Sequence, residues 1–418
     1  MHTTPSTQSF TVNGRSYTPP PRPIAAICLD GSSDEYLNAA FLRGLMPNLQ
    51  RLCLSGVRAV ARAAMPTFTN VNNSCIVTGV PPSVHGIGGN FFFERATQSE
   101  VMMNSASFLR APTIFPAAAK AGRKVAVVTA KEKLRDIFAH NLIGQGGIAF
   151  SSEKASQAAQ ATHGLDNVEA LIGEPTPAIY SGAASIYVLK AGVALLKQKR
   201  ADFLYLSTTD YIQHKAAPDE QTALEFYAQI DEQIGHLSAL GAIIGLTADH
   251  GMNAKQNPDG TPKVLYLESL LNEHFGGNFR VILPITDPYV AHHGALGSFA
   301  VIHCDDDAPL DKIRSYLMSL DGVTDVYFKD EAAAKLELPA DRLGEMVVCG
   351  GRDTTLGRTP KYHDLSALGG GLRSHGGRYE EMVPFILSEP LTAPYQSKLR
   401  GDPRNFDIFD FILNGTAR

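Results

Sequence analysis

The chain has 418 residues, 44% of them apolar and 19% charged, with 37 Gly, 25 Pro and no Trp. That is ordinary globular usage; it excludes collagen-like and disordered classes and, at about 150 residues per domain, predicts two or three domains. The 37 Lys and Arg against 42 Asp and Glu give a net charge of -5, so no basic excess exists to neutralise nucleic acid or an anionic membrane.

Past the prolines at positions 19–23, residues 24–29 form a continuous apolar run that stops at Asp30-Gly31. This is the pattern of a strand buried on both faces of a parallel sheet. The stretch MPTFTNVNN at 65–73 leads into NVNNSCIVTG, which predicts a helix whose first turn can point N–H groups at an anion; on that segment alone Thr69 reads as an N-cap. Residues 125–128 run into Thr129 and Lys131, 203–206 into Asp210, and 242–246 into Asp249-His250, with helical stretches at 184–197 and 222–240 between them. Strands alternating with helices predict an α/β fold with a mainly parallel central sheet flanked by helices. Ligands of such sheets bind beyond the carboxyl ends of the strands, where four of these runs deliver reactive side chains.

From 256 to 370 the pattern changes to short strands, a helix at 310–320 and Gly/Pro/Asp turns, which predicts a smaller inserted α+β cap. The catalytic core is then expected over 20–255 and again over 371–418, where Arg373-Ser374-His375-Gly376-Gly377 precedes one more apolar run at 383–387.

Asp30, Asp210, His214, Asp249, His250 and His375 are ligands of the kind that bind Zn²⁺, with Thr69 as a seventh. Singly, each is more often a turn former, a cap or an ordinary histidine. Asp210 and His214 have the i, i+4 spacing that puts both on one face of a turn. Asp249 and His250, as neighbours on a strand, point to opposite faces unless the chain bends beyond the strand end. Seven such groups suit two metal ions, which in hydrolytic sites clamp both sides of an in-line displacement.

Asp30, the PTFTN segment, PPSVHGIGGNFFFE at 81–94, Asp210-x-x-x-His214, Asp249-His250-Gly251 and His375 occur in an order and at intervals that resemble the alkaline phosphatase superfamily, nucleotide pyrophosphatase/phosphodiesterase branch. TAKEKL, STTDYIQHK, TADHGMNAK, ITDPYVAHHGALGSFA and LRSHGG are similar to the phosphonoacetate-hydrolysing members of that branch, and this likeness extends through the cap. The resemblance implies two Zn²⁺ per chain, one held by Asp30, Thr69, Asp249 and His250, the other by Asp210, His214 and His375. It implies Thr69 as nucleophile, Asn90 as a donor to phosphoryl oxygen, Lys131 and Lys133 as contacts for the substrate carboxylate, and His214 beside the substrate. A small phosphonate is the implied partner, with hydrolysis of its carbon–phosphorus bond as the activity; the sequence does not give the oligomeric state, a homodimer being one option. Read without the resemblance, Asn90 suits a left-handed turn after two glycines. Lys131 and Lys133, by contrast, begin a helix at the end where the macrodipole disfavours cations, unless an anion sits there.

The rival enzyme is a phosphodiesterase or phosphomonoesterase with the same metal core; a non-catalytic metal-binding protein would have lost a ligand or Thr69, and none is lost. GIGGNF does not follow a strand, which argues against a dinucleotide fingerprint. His85, His292 and His293 are left outside the metal site. Five scattered cysteines, the absence of a signal-like N-terminus and the absence of an 18-residue apolar run predict a cytoplasmic protein, with Cys75 read as buried packing.

Overall fold

The computed structural model describes residues 4–287, 292–368 and 371–417. Residues 288–291 of the ITDPYVAHHGALGSFA segment and the expected boundary at 370 therefore lie outside the described residues. The central sheet is built from β1 (Ile24–Cys28), β2 (Val57–Arg62), β3 (Val125–Thr129), β4 (Ile148–Ser151), β5 (Phe203–Ser207) and β6 (Ile243–Thr247). A smaller sheet holds β7 (Arg280–Ile282), β8 (Phe299–His303), β9 (Val323–Phe328) and β10 (Met346–Gly350), and β11 (Met382–Leu387) returns to the first.

The central strands lie in the order β2-β11-β6-β1-β5-β3-β4. From β6 to β4 every pairing is parallel, whereas β11 is antiparallel to both β6 and β2. All five residues of β1 are buried, and they alternate between two cores as strand geometry requires. Ile24, Ala26 and Cys28 join Val127, Phe203 and Tyr205 on one face, which also receives helices α1 (Thr69–Thr78) and α2 (Glu132–Phe138). Ala25 and Ile27 join Val128, Leu204 and Leu206 on the other, beneath α3 (Gly182–Lys197) and α5 (Gln221–Ala239), with the short α4 (Tyr211–Lys215) between these helices in sequence. Each Leu or Phe fully buried in these layers contributes about 1.5–3 kcal/mol.

The smaller sheet is antiparallel throughout, in the order β7-β8-β10-β9, with Ile313 and Leu317 of α6 (Leu310–Ser319) buried against it. Its apolar residues, Val281, Phe299 and Val347 among them, continue the core of the first face, and Phe299 packs edge-on against Phe68, the residue before α1. Strands β6, β1, β5 and β3, the four whose sequence runs end in Asp249-His250, Asp30, Asp210 and Lys131, are consecutive neighbours in the sheet. One edge thus collects all of those side chains. Among the described residues no helix is long and apolar enough to cross a membrane.

Candidate active site

Two residues past β1, Asp30 is fully buried, and its N–H donates to Thr208 Oγ1 at 2.9 Å. Gly31 follows with φ +70°, and a Cβ there would stand 2.7 Å from Asp210 Cβ. Only glycine lets the two loops approach so closely. The Gly31 and His250 N–H groups both donate to Asp249 Oδ1, at 3.2 and 3.0 Å, so the chain bends after β6 and Asp249 and His250 serve one place. The ligand atoms of Asp30, Asp249 and His250 lie within 4.8 Å of one another.

Thr69 is the first residue of α1, and the N-cap is Phe68. The capping alternative for Thr69 is thereby corrected: its hydroxyl is free of the helix end and lies 3.4 Å from Asp30 Oδ1 and 3.3 Å from His250 Nε2. Asp210 caps α4, and one turn later His214 Nε2 meets Asp210 Oδ2 at 2.9 Å. His375 Nε2 approaches the same oxygen at 3.6 Å, and the His375 and His250 rings stack 3.6 Å apart. Asp210, His250 and His375 form a second group of ligand atoms within 4.8 Å. All seven predicted ligands are thus brought into one buried cluster. His292, set aside from the sequence, also lies here: its ring is 4.9 Å from that of His214, and its ligand atom falls within 4.8 Å of those of Asp210 and His214. His293 lies 5.3 Å from His214.

Three imidazoles share one orientation. Nδ1 of His214 donates to Arg373 O, that of His250 to Gly251 O and that of His375 to Thr67 O, at 2.7, 2.9 and 2.7 Å. A carbonyl accepts only from N–H, so in each neutral ring Nε2 carries the lone pair. With His214 neutral, an acceptor nitrogen faces an acceptor oxygen at 2.9 Å in the His214–Asp210 pair, an arrangement that a bound cation relieves. Burial, reinforced by Asp210 and Asp249, pushes the Asp30 carboxyl well above its usual range, and burial with Asp210 pushes Asp249 up to about 6. Burial opposes ionisation of Asp210 too, yet the Lys131 ammonium beside it holds it well below that range. Three buried carboxylates with one nearby ammonium, and three imidazoles presenting lone pairs, are a donor set that fits divalent zinc.

Lys131 is the N-cap of α2, with Nζ 3.4 Å from Asp30 Oδ2 and 3.3 Å from Asp210 Oδ1. Lys133, two residues further in, meets Asp287 Oδ2 at 2.5 Å. The anions that offset these cations at the helix start are therefore carboxylates of the chain itself. Asn90 is buried, is not in the left-handed region expected of a turn residue, and donates through its N–H to Pro284 O at 2.7 Å. Its Nδ2 reaches Ile285 O at 3.4 Å, while its Oδ1 is buried without a partner among the described residues.

Asn73 escaped the sequence reading. Its Nδ2 donates to Asp249 Oδ2 at 3.0 Å, and its Oδ1 accepts from Tyr205 and Ser207 at 2.6 and 2.8 Å. Its position four residues after Thr69, on the same side of α1, was the available signal. Cys75 is buried as expected, yet it has a basic neighbour in space: His85 Nε2 lies 3.1 Å from its Sγ. Because His85 Nδ1 accepts from Ile87 N–H at 3.1 Å, Nε2 holds the proton, and burial pushes both groups towards their neutral forms.

The sequence profile of the type I phosphodiesterase / nucleotide pyrophosphatase family matches residues 24–377. Phosphonoacetate hydrolase from Sinorhizobium meliloti 1021, solved in complex with phosphonoacetate, is similar at 48% identity and a TM-score of 0.92, covering 98% of this chain and 99% of that one. The same figures hold for its complex with phosphonoformate. Human ectonucleotide pyrophosphatase / phosphodiesterase 5 shares the fold at a TM-score of 0.60 and 15% identity, covering 95% of this chain and 96% of that one.

Proposed function

The chain belongs to the type I phosphodiesterase / nucleotide pyrophosphatase family, and from that premise we propose that it hydrolyses the carbon–phosphorus bond of phosphonoacetate to acetate and phosphate. One observation carries the reading: the 48% identity over 98% of the chain to an enzyme solved with phosphonoacetate. The proposed cofactors are two zinc ions, which Asp30, Thr69, Asp249 and His250 would hold on one side and Asp210, His214 and His375 on the other. When bound, they supply Lewis-acid charge for phosphoryl oxygens and lower the pKa of a coordinated hydroxyl. We place the activity in the cytoplasm, a compartment that suits five free cysteines.

In this reading Thr69 Oγ1, which lies 3.4 Å from Asp30 Oδ1 and 3.3 Å from His250 Nε2, gives up its proton to solvent and attacks phosphorus. The phosphorus–carbon bond breaks as the oxygen–phosphorus bond forms, and its electron pair moves onto the departing acetate unit. A bare carbanion leaves poorly, but the substrate carboxylate spreads the charge as an enediolate. Lys131 and Lys133 would meet those oxygens, and a contact that strengthens as charge develops lowers the barrier. Asn90 Nδ2 is the proposed donor to phosphoryl oxygen, with His214 bordering the same space. The methylene carbon takes up a proton, and water then hydrolyses phospho-Thr69 and restores the hydroxyl.

Initial rates on phosphonoacetate, p-nitrophenyl phosphate and bis(p-nitrophenyl) phosphate test the assignment, with acetate and phosphate measured separately. Equimolar acetate and phosphate, formed with the highest kcat/KM of the three, is the expected result. Faster hydrolysis of the diester would make the chain a phosphodiesterase of the same family.

A further inference from the structure

One short stretch of the smaller α+β unit, residues 284–287, touches both a proposed phosphoryl contact and a proposed carboxylate contact. At one end Pro284 O and Ile285 O receive the N–H and Nδ2 of Asn90. Gly89 makes room for this seating, since a Cβ there would stand 2.5 Å from Pro284 Cβ. At the other end Asp287, itself buried, holds Lys133 Nζ at 2.5 Å. The two lysines are thus anchored differently: Lys131 lies on the carboxylates of the metal cluster, whereas Lys133 depends on a residue more than 150 positions away, in the ITDPYVAHH segment.

An ammonium has three donors on a flexible four-carbon stem, and its direction is set by what holds it. Asp287 uses one donor and leaves two for a second acceptor. We propose that Asp287 is a positioning residue that aims Lys133 at the substrate carboxylate, which makes the 284–287 stretch a determinant of specificity for carboxylated phosphonates. The inference rests on the phosphonoacetate reading. It goes further in assigning part of the recognition to the smaller unit. Burial alone favours a neutral Lys133, and the Asp287 charge opposes that loss, which agrees with the geometry.

The test is equilibrium binding of phosphonoacetate by calorimetry to the zinc-supplemented protein in a Thr69→Ala background, which does not consume the ligand, with turnover by the Thr69 enzymes followed in parallel on phosphonoacetate and p-nitrophenyl phosphate. Asp287→Asn keeps the shape and removes the charge; Asp287→Glu keeps the charge; Asp306→Asn, an exposed carboxylate of the same unit, is the control. The expected result is a Kd and KM for phosphonoacetate raised roughly tenfold or more by Asp287→Asn, largely restored by Asp287→Glu, with a much smaller change in KM for the aryl ester. An unchanged Kd in Asp287→Asn overturns the inference, and so does a tighter one, which would make Asp287 a competitor of the substrate. Equal losses on both substrates overturn it as well. Binding of phosphonoacetate without turnover by the wild type would sink the functional reading while leaving the role of Asp287 measurable, and absence of binding by the Thr69→Ala protein with Asp287 intact would sink both.

Discussion

His250 and His375 stack face to face, ring centroids 3.6 Å apart and planes within 8°, although one follows β6 and the other precedes β11. The contact joins the two proposed metal half-sites, because His250 groups with Asp30 and Asp249 while both rings group with Asp210. Metal analysis is expected to find about two zinc ions per chain. His375→Ala should lose one preferentially, and calorimetric titration of zinc into the metal-free protein should then resolve a single tight site. Two unchanged sites in that variant would remove His375 from the ligand set.

Thr69→Ala is expected to keep the fold and most of the metal and to lower turnover on the order of 10³-fold or more, as removal of a nucleophile does. Thr69→Ser should retain measurable activity. Near wild-type turnover by the alanine variant would replace the covalent route with direct attack by water.

Asn73 offers a test that needs no substrate. Its side chain ties Asp249 to the hydroxyls of Tyr205 and Ser207 in the core, so Asn73→Ala strands three buried polar groups. A loss of about 1–3 kcal/mol in denaturant unfolding is expected, with zinc affinity weakened roughly 10- to 100-fold, as when an outer partner of a ligand is removed. Weakened stability with unchanged zinc affinity would confine Asn73 to packing.

Lys255 and Glu380, both fully buried, pair at 2.8 Å. Glu380 also accepts from Asn253 and from Gly377 N–H, so the pair clamps the segment after His250 to the segment after His375. Lys255→Met should cost about 3–5 kcal/mol by leaving an uncompensated charge, and adding Glu380→Leu should recover much of that. Urea unfolding of the two variants decides it. Additive losses would show that the two residues act independently.

Acid sensitivity follows from His85, which burial pushes down to about 3. The unfolded chain protonates this residue near its ordinary value of about 6.5 while the folded chain does not. Its contribution is therefore fully present above pH 6.5 and is lost as pH falls towards 3, at about 1.4 kcal/mol per pH unit. Unfolding measured from pH 7 to pH 4 should show a shallower slope for His85→Gln than for the wild type. Parallel slopes would contradict the assignment.

The strands β1, β3, β5 and β6 were legible because burial on both faces forces a continuous apolar run, and the polar residue that ends each run marks the functional edge. Edge strand β2 was not, since VRAVAR is half exposed and interleaves arginines, and β4 has only four residues. The apolar run of β11 was visible, but its antiparallel direction was not, because such a run reads alike either way. The candidate metal ligands announced themselves by residue type. What held them did not: Asn73 reads as one amide in a polar helix, and the Lys133–Asp287 pair exists only once the smaller unit is seated on the core.

The three imidazole Nδ1 atoms all end on main-chain carbonyls, and the owners of those carbonyls form a circuit. Arg373 O, which fixes His214, stands two residues before His375; Thr67 O, which fixes His375, stands two residues before Thr69; and Thr69 leans on His250, fixed by its own neighbour Gly251. A side-chain anchor can be erased by one codon change, but a carbonyl is present whatever residue carries it. The tautomers of this centre are thereby insulated from point mutation at the anchoring positions, and they change only if a stretch of backbone shifts. The same wiring makes the segments interdependent, so that a displacement of the 67–69 stretch is passed to His375 and one of the 373–375 stretch to His214. Inherited change in this cluster is accordingly expected to come in coordinated loop movements rather than single ligand swaps.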